Sequence, residues 1–211
     1  MGMGTSRKPE EQPFRVLVLG VDNICRSPLM EGLLLHAADE HDLHLMAESA
    51  GTEALAGAEM DAVTQQQLRD RGVDPSRFRA RRLVPEHLHG ADLVLTVTRA
   101  VRSRALHVHP AAVRRTFTIT EAAALARPGI VRGAGSLQDW VAEAVRHRPD
   151  VAGVDLDIPD PRGARRRTHK QVATAVEAAV GSLVDSWSQW VADPAVTLAA
   201  SPDRRGEAHS G

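Results

Sequence analysis

The chain has 211 residues, 43% of them hydrophobic, enough for one well-buried domain with little left over. A formal net charge of −1 excludes a protein that coats nucleic acid or membranes through its overall field. The one cysteine, Cys25, excludes an internal disulfide framework and a cysteine-rich metal site, and fits a reducing cytoplasm.

Residues 1–12 are polar and charged and read as a disordered leader, with no apolar core of a secretory signal. Residues 194–211 are small, polar and Pro/Gly-bearing, and read as a disordered tail. Residues 13–193 contain no repeat and no linker, so they read as one domain. No apolar run approaches the roughly 20 residues that a membrane span needs.

Phe14 to Leu19 carries the run Val16, Leu17, Val18, Leu19, the pattern of a strand buried on both faces of a parallel sheet. The loop GVDNICR follows, and Ser27-Pro28 opens a helix, serine as N-cap and proline as first helical residue. Leu43 to Ala50 reads as a second strand, then a helix from Asp61 to Arg71 is closed by Gly72. Asp92 to Val97 and Arg115 to Ile119 supply a third and a fourth strand. Helices are expected over Thr120–Ala126 and Ser136–Arg146, and a last one after Pro161. That last helix puts Val172, Val176, Ala179, Leu183, Trp187 and Trp190 on one stripe, the spacing of a core-facing helix.

Strands alternating with helices predict an α/β fold, a three-layer α/β/α arrangement around a four-stranded parallel sheet. Ligands in such folds sit at the carboxyl ends of strands, so residues 20–26 are the place to seek a site. A tight loop running into a helix N-terminus presents several backbone N–H groups towards one point, and the helix dipole adds positive potential. Arg26 stands where its guanidinium can fold over a bound anion and hold two of its oxygens. The plain alternative is an ordinary strand-to-helix turn with a surface arginine.

The loop resembles that of low-molecular-weight protein tyrosine phosphatases and of the arsenate reductases on the same fold. These open with an apolar strand followed by C-x-G-N-x-C-R-S-P, and Asn23, Ile24, Cys25, Arg26, Ser27 and Pro28 match its second half. Ser49-Ala50-Gly51-Thr52, Gly72-Val73-Asp74, Ala91 to Thr96 and Asp157-Ile158-Pro159-Asp160-Pro161 are similar to later family segments, in order. The resemblance implies a phosphotyrosine phosphatase I-like, flavodoxin-like topology and an anion-binding loop of Asn23, Ile24, Cys25, Arg26 and Ser27. It also implies a general acid at Asp160, which protonates the leaving oxygen. Asp160-Pro161 is equally an N-cap for the last helix.

Departures from the family pattern bear on function. In the family the first loop cysteine attacks phosphorus as a thiolate; here that position is Gly20, and the family's loop glycine is Asp22. Cys25 matches only the accessory thiol. Asp22 has three readings: it pairs with Arg26 and closes the loop, it faces solvent, or it serves as a new nucleophile or base. Where the family keeps a ring-flanking aromatic residue stands Arg162, and the chain contains no tyrosine.

Two basic clusters are expected to border the mouth. One is Arg162, Arg165, Arg166, Arg167 and Lys170, and the other Arg77, Arg79, Arg81 and Arg82, with Arg79 and Arg162 as substrate rim. Solvated surface arginines are the plain alternative. The expected partner is a phosphorylated or otherwise anionic small molecule or protein, with no membrane and no cofactor or metal. The lack of interleaved aromatics argues against nucleic acid, and the oligomeric state is not fixed by sequence. The leading reading is a pseudophosphatase that binds an anionic ligand. A second is a repurposed enzyme using Arg26 and Asp160 on an anionic biosynthetic molecule, and a third is residual tyrosine phosphatase activity.

Overall fold

Strand β1 (Phe14–Gly20) is buried at every position except Arg15. Successive side chains alternate between faces, so burial of both Val16/Val18 and Leu17/Leu19 means that both faces are covered. The computed structural model describes residues 12–192. The leader and tail expected to be disordered therefore lie outside the described residues, apart from Gln12.

Helix α1 (Arg26–Glu40) follows β1 and leads to β2 (Leu45–Gly51). Strand β2 pairs in parallel with β1, in register from Phe14 opposite Leu45 to Gly20 opposite Gly51. Then come α2 (Ala62–Arg69), α3 (Pro85–His89) and β3 (Leu93–Thr96), which pairs with the other side of β1. Helix α4 (Arg99–Val108) precedes β4 (Thr116–Thr118), the partner of β3. Helices α5 (Ile119–Leu125), α6 (Leu137–Arg146) and α7 (Arg166–Ala192) complete the chain. The sheet order is β2-β1-β3-β4, all parallel, which is the expected flavodoxin-like arrangement. Chain order reverses direction at β1, so the carboxyl end of β1 is a topological switch point.

All four expected strands form, with ends moved by two residues or fewer. The stripe on α7 is buried at Val172, Val176, Ala179, Leu183, Trp187 and Trp190. Trp187 lies edge-to-face on Trp140 of α6 and on Phe14 of β1, with centroids 5.8 and 5.9 Å apart. No helix among the described residues is long and apolar enough to cross a membrane.

Three expectations need correction. Helix α1 starts at Arg26, and its N-cap is Cys25, which makes no side-chain cap bond; Ser27 is inside the helix and turned to another use. Helix α7 starts at Arg166, because Pro161 to Ala164 form a turn closed by Ala164 N–H on Pro161 O at 2.9 Å. Gly163 takes a left-handed φ of 71° in that turn, which stops a helix from starting there. Asp160 is consequently no helix cap; it accepts the Arg162 N–H at 3.1 Å within the turn. Helices α3 and α4 were not expected. In α4 only Val101 and Ala105 are buried, too narrow a stripe to give a periodic signal.

Candidate functional site: an anion cradle at the end of β1

Residues 21–25 bend from the end of β1 into the first turn of α1. The loop is held from outside through its carbonyls. Gly20 O accepts from Thr52 N–H (3.0 Å), Val21 O from Glu53 N–H (2.9 Å) and Ile24 O from Asp61 N–H (2.9 Å). Its N–H groups are left over: among the described residues, none accepts from the N–H of Asp22, Asn23, Ile24 or Cys25. Donors without acceptors at the N-terminus of a 15-residue helix make this end of the loop electropositive.

Asn23 fixes the bend. It is 2% exposed and takes a left-handed φ of 57°, a conformation asparagine tolerates better than most residues. Its Nδ2 donates to Ser49 Oγ (2.8 Å) and Ser27 Oγ (3.2 Å), and its Oδ1 accepts from Arg81 N–H (2.8 Å). Ser49 Oγ in turn donates to the Glu31 carboxylate. Burial pushes the Glu31 pKa up, and the Ser49 bond and the Arg81 charge oppose it. The end of β2 comes so close that a Cβ on Gly51 would sit 2.4 Å from Val21 O, which only glycine permits.

Ser49, Glu31 and the Arg81 backbone are site residues that sequence reasoning did not single out. One signal was present: Glu31 lies four residues after Ser27, on the same face of α1. Nothing in the spacing connects Ser49, a strand away, to either.

Arg26 is 7% exposed and spans the mouth towards the segment after residue 156. Its Nη1 donates to Ile158 O at 2.8 Å and its Nη2 pairs with Asp160 Oδ2 at 2.9 Å. Burial pulls its pKa below the ordinary arginine value, and the Asp160 carboxylate opposes that shift. Asp22 pairs with Arg162, so of its three readings the pair with Arg26 does not form. Arg162 also reaches Asp160 at 3.7 Å, giving an alternating chain Asp22–Arg162–Asp160–Arg26. Two positive and two negative groups cancel, and the space they enclose with the loop is about 10 Å³, room for about one water.

Cys25 is buried beside the loop and its thiol is pushed up to about 11, by burial first and then by the Asp61 carboxylate. Such a thiol is protonated and poorly nucleophilic at neutral pH. Gly20 faces Ser27: a Cβ at residue 20 would lie 2.6 Å from Ser27 Oγ. The Ser27 hydroxyl thus fills the space that a side chain on residue 20 would need.

The two basic clusters do not ring this mouth. Of them, only Arg162 lines the cradle cavity. Arg79 is turned onto its own loop, donating to Phe78 O at 2.6 Å and Ser76 O at 3.3 Å. Arg81 is spent on Ser49 O (3.0 Å) and Glu48 (3.3 Å). Arg166 and Lys170 line a separate groove against α2, and Arg77 another against α1.

Residues 15–127 match the family model for low molecular weight phosphotyrosine protein phosphatase. The chain is 31% identical over 106 residues to EpsP of Ralstonia nicotianae, named a probable low molecular weight protein-tyrosine-phosphatase, covering 50% of this chain and 70% of that protein. It is 24% identical over 173 residues to a protein-arginine-phosphatase of Geobacillus stearothermophilus, covering 82% of this chain and 95% of that one. In fold it is similar to a cysteine-to-serine mutant of the YwlE arginine phosphatase with a phosphorylated active-site serine. That likeness has a TM-score of 0.64 at 20% identity and covers 82% of this chain and 94% of the other. The matched segment runs from β1 through the cradle to the end of α5, and the chain belongs to the low molecular weight phosphotyrosine protein phosphatase family.

Proposed function

We propose that this chain is a pseudophosphatase: its cradle binds a phosphorylated or otherwise anionic ligand and carries out no cysteine-based hydrolysis. The observation that carries the reading is the pairing of unpartnered loop N–H groups and a buried Arg26 with Gly20 at the position expected for the nucleophile. The donors suit a phosphoryl group, and a glycine offers nothing to attack it. Cys25 does not replace the missing thiolate, because its thiol is buried, pushed up to about 11, and protonated at neutral pH. We assign Asp160, beside Arg26, to the leaving side of a bound phosphoryl group, and among the described residues Arg162 is the basic rim residue that lines the cavity. Asp22 serves as the counter-charge of Arg162 and not as a nucleophile.

A relative of this fold holds a phosphorylated serine in its active site, which supports a scaffold able to accommodate a phosphoryl group where the cysteine is absent. Phosphate or vanadate should raise the melting temperature of the wild type, because a ligand that binds only the native state stabilises it. Arg26→Ala should remove that rise, since a charge-assisted contact contributes roughly 1.5–3 kcal/mol to binding. Equal responses of the two proteins would refute the cradle as a binding site.

A further inference from the structure

Ser27 is 1% exposed in bulk terms, yet it is one of the residues lining the cradle cavity, together with Gly20, Asp22, Arg26, Asp160 and Arg162. It follows Arg26 in the first turn of α1, where the helix dipole is positive. Its Oγ accepts from Asn23 Nδ2, and among the described residues nothing accepts the Ser27 hydroxyl proton. The position of that oxygen, 2.6 Å from where a Cβ on Gly20 would be, is open only because residue 20 has no side chain.

We infer that Ser27 Oγ is a phosphoryl acceptor: the cradle takes a phosphoryl group from an activated donor and keeps it as phosphoserine. This rests on the proposed anion-binding reading and extends it from reversible binding to covalent capture. In the step, the bond from phosphorus to Ser27 Oγ forms as the bond from phosphorus to the donor's leaving oxygen breaks. The leaving group departs with the bonding electrons as an anion and the hydroxyl proton passes to solvent, so the products are phosphoserine, the leaving anion and a proton. Loop N–H groups and Arg26 stabilise the charge on the equatorial oxygens, the task such donors perform in phosphoryl transfer. A serine alkoxide is far more basic than a thiolate and leaves more slowly, so the phosphoserine persists where a phosphocysteine would be hydrolysed. The donor class is an aryl or acyl phosphate, whose leaving group departs without needing a strong acid.

The test is incubation of the full chain with acetyl phosphate or 4-nitrophenyl phosphate, followed by intact-mass measurement and peptide mapping. The expected result is one phosphoryl group per chain, on Ser27, in the wild type. Ser27→Ala should be unlabelled. Gly20→Ala puts a methyl group 2.6 Å from Ser27 Oγ, and the hydroxyl, at the end of a rotatable side chain, must swing away. This variant should lose labelling at least tenfold while keeping its circular dichroism spectrum. Labelling at another residue, or equal labelling of Gly20→Ala, would overturn the assignment. An unlabelled wild type that phosphate still stabilises against heat would overturn it alone, leaving the binding reading intact. No label and no phosphate stabilisation would overturn both.

Discussion

Arg26 and Asp160 meet across the cradle with Nη2 and Oδ2 2.9 Å apart, so the arginine suited to an anion already holds a carboxylate. Arg162 holds Asp22 in the same way. With space for about one water left between them, an incoming oxyanion must displace at least one pair. Asp160→Asn and Asp22→Asn should each tighten phosphate binding, by about three- to tenfold if each competing pair contributes about 1 kcal/mol. Isothermal titration at low and high salt is the measurement. Unchanged or weaker phosphate affinity in both variants would show that the pairs do not guard the site.

Asn23 should be the most sensitive loop position. Asn23→Ala removes the bonds to Ser49 Oγ, Ser27 Oγ and the Arg81 N–H, and puts at φ 57° a residue that tolerates the left-handed region less well than asparagine. The expected loss of stability is about 2–4 kcal/mol. Asn23→Gly loses the same bonds but suits the left-handed backbone, so it should be less damaging by about 1 kcal/mol. Denaturant unfolding of the two variants checks the order, and Gly equal to or worse than Ala would contradict it.

Cys25 gives the chain an alkaline stability limit. Folding raises the thiol from 9.0 to about 11, so the folded state holds its proton to higher pH than the unfolded state. The contribution is fully present below about pH 9 and is lost as pH rises towards 11, up to about 2–3 kcal/mol. Few other groups cloud the measurement, because the chain has no tyrosine and its lysines are Lys8 and Lys170. Unfolding free energy measured across this window should fall in the wild type and stay flatter in Cys25→Ala. The same burial should make Cys25 slow to alkylate at neutral pH. A wild type whose stability is flat, or that alkylates like a free thiol, would contradict this.

Most of the scaffold was legible in the sequence because its signals are local. Val16 to Leu19 and the DLVLTV run are continuous apolar strands, and the α7 stripe has helical spacing. The strand, bend and helix start around residues 20–26 were legible because they are consecutive in the chain. What escaped was long-range or conformational. The Asp22–Arg162 pair joins residues far apart in the chain, and no spacing rule couples them. Ser27 looked like a cap because serine before proline favours that role, yet here its hydroxyl lies in the cradle. The rim arginines were over-read for a related reason. Clustering in sequence says nothing of direction, and Arg79 and Arg81 fold back onto backbone carbonyls.

Restoring the family pattern should restore chemistry. Gly20→Cys with Asp22→Gly places a thiol at the end of β1, frees Arg162 from Asp22, and requires that Ser27 Oγ rotate away and Ser27 Cβ, 3.2 Å from the new Cβ, give slightly. Loop N–H groups, Arg26 and Asp160 would then support thiolate formation, charge stabilisation and leaving-group protonation. Weak turnover of 4-nitrophenyl phosphate is expected, because a misplacement of about 1 Å can lower the rate about a hundredfold. A folded double mutant that binds phosphate and remains inactive would show that more than the nucleophile differs from a working site.

The most direct measurement of the central claim is the steady-state release of 4-nitrophenol by the wild type, from about pH 5 to about pH 8, where catalytic groups of this kind operate. We expect no sustained turnover, because Gly20 carries no nucleophile and Cys25 stays protonated. Release beyond one equivalent per chain, at rates near the usual enzymatic range of about 1–10³ per second and unchanged in Cys25→Ser, would contradict the pseudophosphatase reading.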